Sequence, residues 1–157
     1  MARAVPLWPF LLFGVIEPAL LENGPSLTIS ASGPTSSSSK DPRKFYVNQV
    51  PHIALDDAGF PPQAKLLVLL LGNVYLLLAP LAVICIWTPH RSVAIYYLMA
   101  VGLGDLGHIY ATYQVWGEAF WDLTLWNDMM WGNVGVSAFF HLNRWATLLG
   151  LFGRLGR

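Results

Sequence analysis

Residues 66–87 read LLVLLLGNVYLLLAPLAVICIW, twenty-two positions without one Asp, Glu, Lys or Arg. At about 1.5 Å per residue a helix of this length covers about 33 Å, enough to cross a hydrocarbon core about 30 Å thick. Lys65 precedes the run and Thr88-Pro89-His90-Arg91 follows it, marking its edges. Pro80 lies inside, where it kinks a helix and frees a carbonyl that packed neighbours can satisfy. After a connection of only a few residues comes 92–116, apolar except for Asp105 and His108, which the short link makes an antiparallel neighbour. A third run starts between Met129 and Trp131 and extends to Phe152, with Asn133, His141, Asn143 and Arg144 inside it.

Working back towards the N-terminus, 4–21 is apolar but carries Glu17 and the prolines Pro6, Pro9 and Pro18. A secretory signal peptide is the alternative to a retained first helix; the early prolines and the poor cleavage context Glu17-Pro18-Ala19 weigh against it. Between these outer parts lies 24–63, whose Gly33-Pro34-Thr35-Ser36-Ser37-Ser38-Ser39 centre buries too little to offset its ordering entropy. It reads as a flexible surface loop, with Phe45 to Leu55 able to lie on a membrane. The expected organisation is all-α: an integral membrane antiparallel four-helix bundle with a long disordered loop between its first two helices. Its parts are a first membrane helix at 1–23, the Ser/Pro-rich loop at 24–63, and three further membrane helices within 64–157, at about 66–87, 92–116 and 129–152.

Composition agrees. The 157 residues are 55% apolar and 11% charged, against about 25% charged in soluble domains. Nine Lys+Arg balance nine Asp+Glu, so no basic surface is available for nucleic acid. A single cysteine, Cys85, excludes an internal disulfide and any multi-cysteine metal site. Trp8, Trp87, Trp116, Trp121, Trp126 and Trp131 sit mostly at expected span ends, where indoles anchor at headgroup depth. The partner this implies is the lipid bilayer, and the default location for a span-rich chain without an organelle address is the endoplasmic reticulum.

The exceptions to apolarity carry the chemistry. Asp105 falls near the middle of its span, where a charge costs about 2.5–3.5 kcal/mol on insertion scales. His108 and Thr112 follow at i+3 and i+7, on the same helix face. On the last span Asn133, Ser137, His141 and Arg144 fall within an arc of about 80° at 100° per residue. Such a stripe faces protein or water, not lipid. Glu17 and Asn73 are candidates to complete a polar centre among four helices. Interhelical hydrogen bonding explains Asn73, Thr112 and Ser137 equally well, and Arg144 is either a counter-ion to Asp105 or Glu17 or an anchor reaching the interface. Asp105-x-x-His108 with His141 and Glu17 also offers oxygen and imidazole ligands, a weak metal signature. No phosphate loop, nucleophile elbow or zinc pattern is present, and neither metal nor cofactor is expected.

The phrases Ile16-Glu17-Pro18, Asn73-x-Tyr75-Leu76-Leu77, Asp105-Leu106-Gly107-His108-Ile109-Tyr110, Trp121-Asp122 and Trp126-Asn127-x-x-x-Trp131-Gly132-Asn133-Val134-Gly135 occur together, followed by Arg144 and Leu148-Leu149-Gly150. With these the chain resembles a family of small fungal integral-membrane proteins classed as a domain of unknown function. The resemblance covers nearly everything except the Ser-rich loop. It implies four membrane helices and a fungal source, but no reaction.

Two functions follow as expectations. The first is an acid–base isomerase or cyclase acting on a lipophilic small molecule of fungal secondary or isoprenoid metabolism. In it Asp105 is the acid, His108 or His141 the base and Glu17 a second acid, with Tyr110, Trp126, Trp131, Asn133, Arg144 and Asn73 lining the pocket. The second is a non-catalytic membrane component that binds lipid or a membrane partner. Conduction along the polar stripe is a third, for which four helices leave little room.

Overall fold

The computed structural model describes residues 4–22, 42–50 and 59–156, and its regular structure there is entirely helical. Helix α1 starts at Leu7–Leu11, widens into a π-helical stretch at Leu12–Ile16 and resumes as Glu17–Glu22. Helix α2 is Pro42–Asn48, α3 is Pro62–Trp87 and α4 is Arg91–Trp116. Short 3-10 turns at Gly117–Trp121 and Leu123–Leu125 lead to α5, which comprises Asp128–Met130, a π stretch at Trp131–Val136 and Ser137–Leu148.

Two of these helices are long and apolar enough to cross a membrane: Pro62–Trp87, with mean hydropathy 2.5, and α4 extended to Trp121, with mean hydropathy 1.3. Only 22% of either apolar window is buried inside the fold. Leu66, Leu67, Leu76, Leu77 and Ile84 on α3, and Leu103 and Val115 on α4, are exposed. Core helices of soluble proteins bury such faces, whereas contiguous exposed apolar surface marks contact with membrane or partner. The apolar helix Leu7–Leu21 is shorter.

The pairing follows from where small and large side chains meet. α1 packs on α3, and α4 packs along α5. The main core is built from Phe10, Leu12 and Phe13 of α1, Ala82 and Ile86 of α3, Ala94 and Leu98 of α4, and Phe140 of α5. Gly14 sets the closest approach of α1 to α3, since a Cβ there would lie 3.0 Å from both Ile86 Cγ2 and Trp87 Nε1. Pro18 has no N–H to offer the Gly14 carbonyl one turn back. The Trp87 indole donates to that carbonyl at 3.0 Å instead. An outer-edge tryptophan is thereby recruited to repair a proline-interrupted helix.

Three expectations change. The long loop is not featureless: within it α2 is helical and packs against α3, with Tyr46 and Phe60 rings 5.2 Å apart. The Ser-rich centre, His52 and the remainder of that loop lie outside the described residues. α3 begins at Pro62, where proline suits a first helical turn. The last helix stops at Leu148 rather than Phe152. The Gly150 N–H bonds the Thr147 carbonyl, the Leu151 N–H bonds the Ala146 carbonyl, and Gly150 sits at φ 78°. That is a Schellman stop, which apolarity alone did not reveal. Gly150→Ala is expected to lower stability by about 1 kcal/mol, the cost of a Cβ in left-handed backbone, readable as a lower melting temperature in detergent.

Beyond this stop the tail returns to the start of the chain. Leu155 is buried against the core containing Ala4 and Val5, and the Gly156 N–H donates to the Ala4 carbonyl at 2.7 Å.

Candidate functional site

Arg144 is wholly buried, and two carboxylates from two other helices hold it. Its Nη1 donates to Asp105 Oδ2 on α4 and its Nη2 to Glu17 Oε1 on α1. The guanidinium carbon lies 5.0 Å from the Phe13 ring centre and 5.5 Å from that of Phe140, so aromatic faces cover the cation. Gly102, one turn before Asp105, has no side chain to compete with the arginine stem. A Cβ there would sit 3.7 Å from Arg144 Cδ. Arginine suits the place because its planar fork serves two carboxylates at once.

The histidines stand beside this triad. His141 Nδ1 lies 2.9 Å from the Gly102 carbonyl and so carries the proton that the carbonyl accepts, which turns Nε2 away from that bond. Its ring stacks edge-on against Trp145, with centres 6.1 Å apart. His108 and His141 are half-buried and close enough to Asp105 to interact with its charge. Two buried atoms, Glu17 Oε2 and Arg144 Nε, have no hydrogen-bond partner among the described residues. Tyr97, also buried, lies near enough to feel the charge of Glu17.

Of the four residues expected to act as acids and bases, Glu17 and Asp105 hold Arg144, and His108 and His141 lie close enough to Asp105 to interact with its charge. The expected pocket-lining residues largely lie elsewhere. Tyr110 is 62% exposed and Asn73 is exposed on the outer face of α3. Trp126 packs on a second cluster at the other end of α4, around Trp116, Phe120, Met130 and Val134, with Trp131 against its ring and Asn133 bonded to Gln49 nearby. There the Trp126 and Trp131 rings meet at 4.8 Å and the Trp126 indole bonds the Phe120 carbonyl at 3.0 Å.

That second cluster seats the end of α2. Trp116 Nε1 donates to the Gln49 carbonyl at 2.9 Å, Asn127 Nδ2 to the Asn48 carbonyl at 2.9 Å, and Asn133 Nδ2 to Gln49 Oε1 at 2.7 Å. Asn127 also caps α5 by accepting from the Met130 N–H at 2.9 Å. In the adjoining turn, the Thr124 hydroxyl and backbone N–H hold the Asp122 carboxyl below the usual carboxylate range. Trp116, Asn127 and Asn133 thus clamp the end of α2. Thr112 is likewise structural, its hydroxyl donating to the His108 carbonyl at 2.9 Å.

No group of three or more His, Cys, Asp or Glu among the described residues is arranged to hold a metal ion. Arg144 stands between the two carboxylates, and each spends an oxygen on its guanidinium. Phe13 and Phe140 are the site residues that sequence reasoning missed. A cation inside an apolar run was the available signal that aromatic cover had to exist.

The features so far define an all-helical protein with a largely apolar exterior and a buried Glu–Arg–Asp triad at the meeting of three helices. The chain belongs to the family described as a domain of unknown function, DUF7704, which matches residues 2–154. No curated protein and no solved structure matches it.

Proposed function

We propose that this chain is a membrane-spanning bundle of four helices, α1, α3, α4 and α5, acting as a non-catalytic component that binds lipid or a membrane partner. The observation that carries this reading is that both expected acids are committed to one guanidinium. Glu17 and Asp105 each use an oxygen to hold a fully buried Arg144, so one shared guanidinium ties three helices together. In some proteins buried ion groups specify which elements pair rather than add stability, and that is the role assigned to the triad. The exposed leucines of α3 and the aromatic ends of the helices fit a lipid surround.

A second reading has its own support. Glu17 Oε2 and Arg144 Nε are left over as buried acceptor and donor, and His108 and His141 flank Asp105. That constellation suits acid–base chemistry on a lipophilic molecule reaching the α4–α5 face. Asp105→Asn separates the two. The assembly reading expects a less stable chain that accumulates to a reduced level in the membrane, with an unchanged metabolite profile. Normal accumulation together with loss of one metabolite conversion would establish the catalytic reading in its place.

A further inference from the structure

At the end of the bundle away from the Trp-Asn clamp, a cavity of about 690 Å³ opens between the start of α4 and the returning C-terminal tail. Its volume falls within the usual range for small-ligand sites, about 300–1,000 Å³. Two arginines line it, Arg91 from the first turn of α4 and Arg154 from the tail, together with the apolar Ile95, Leu148 and Leu149. Both guanidinium groups are exposed, and neither is paired with a carboxylate among the described residues. No Asp or Glu occurs in 83–104 or in 145–157, so the cationic character of this end is not locally cancelled. Arg154 is not on a loose end: the next residue, Leu155, is buried in the core, and the Gly156 N–H is bonded to the Ala4 carbonyl.

Two fork-shaped cations facing one space, over an apolar wall, match a phosphate group attached to a hydrocarbon chain. A neutral headgroup would leave the charges unanswered, and a fully polar anion would leave the leucines idle. We propose that this cavity holds the headgroup of an anionic phospholipid, with Arg91 and Arg154 on the phosphate and the acyl chain passing over Ile95, Leu148 and Leu149. Leu149 and Leu151, each 73% exposed, continue the apolar path outward. Basic pockets at the ends of membrane helices on the anionic leaflet are a recurrent form of lipid recognition. The proposal rests on the membrane reading above but not on the role of the triad.

The test uses the full chain reconstituted in nanodiscs and then extracted for native mass spectrometry, with phosphatidic acid and phosphatidylcholine of identical acyl chains as probes. Retention of about one phosphatidic acid per chain, at least tenfold above phosphatidylcholine, is expected. R91A/R154A should abolish that preference, and R91K/R154K should keep part of it. Equal retention of the two lipids, or undiminished preference in R91A/R154A, overturns the proposal. Displacement of the lipid by equimolar inorganic phosphate overturns the part assigned to the acyl chain. Carbonate extraction of the same membranes is read alongside: a chain that washes off defeats the membrane reading itself, whereas one that stays while showing no lipid preference defeats only this site.

Discussion

Arg144→Ala is expected to be the most damaging single change in the molecule. It leaves the Glu17 and Asp105 carboxylates facing each other in a space closed by Phe13 and Phe140. Removing one member of a buried charge set costs about 3–5 kcal/mol, because the remaining charges lose their partner without regaining water. Against a typical stability of about 5–15 kcal/mol, that loss should show as low accumulation and a melting temperature in detergent reduced by many degrees. Arg144→Lys should fall between, since one ammonium cannot serve two carboxylates with the same fork. The triple replacement Glu17→Gln, Asp105→Asn, Arg144→Met is the informative companion. A triad that only assembles helices should tolerate joint removal far better than removal of the arginine alone. If Arg144→Ala unfolds no more easily than the parent chain, the triad is not what joins α1, α4 and α5.

The second large effect is expected at Gly14. A methyl group there would stand 3.0 Å from Ile86 Cγ2 and from the Trp87 indole nitrogen. Ile86 is wholly buried, so it has little room to yield. With Ile86 fixed, the strain falls on the Trp87 indole and on its bond to the Gly14 carbonyl that Pro18 leaves open. Overpacking costs about 1–3 kcal/mol, and a buried carbonyl left unpaired costs about 1–3 kcal/mol more. Gly14→Ala should therefore destabilise by more than Trp87→Phe, which loses the bond but keeps the packing. Denaturant titration of the three chains in one detergent checks the order. Equal stability of Gly14→Ala and the parent would mean that this helix contact is loose.

How far the sequence could be read depended on whether a signal was local. Long apolar runs placed α3 and α4 to within a few residues, because hydropathy and length are properties of the segment alone. That Asp105 shares a helix face with His108, and His141 with Arg144, was legible for the same reason, since helical periodicity sets each pair's face. Partner choice was not local. Nothing in the run 7–22 says that Glu17 meets Arg144 rather than a headgroup; that depends on Gly14 admitting α1 against α3. Asn73 illustrates the reverse error, since a polar residue in an apolar helix invites an inward reading and this one faces outward. Trp116, Asn127 and Asn133 differ again: aromatic and amide groups suit a ligand wall, but they serve equally to bind Asn48 and Gln49, which arrive from a segment distant along the chain.

The distance along the chain between Glu17 and Arg144, 127 residues, sets a problem of timing for the ribosome. At about 5–20 residues per second, the arginine emerges on the order of ten seconds after the carboxylate it will hold. Throughout that interval the nascent first helix carries an acid with no cation to meet it. A chain that folds as it is made therefore holds Glu17 without Arg144 until the last helix has been synthesised.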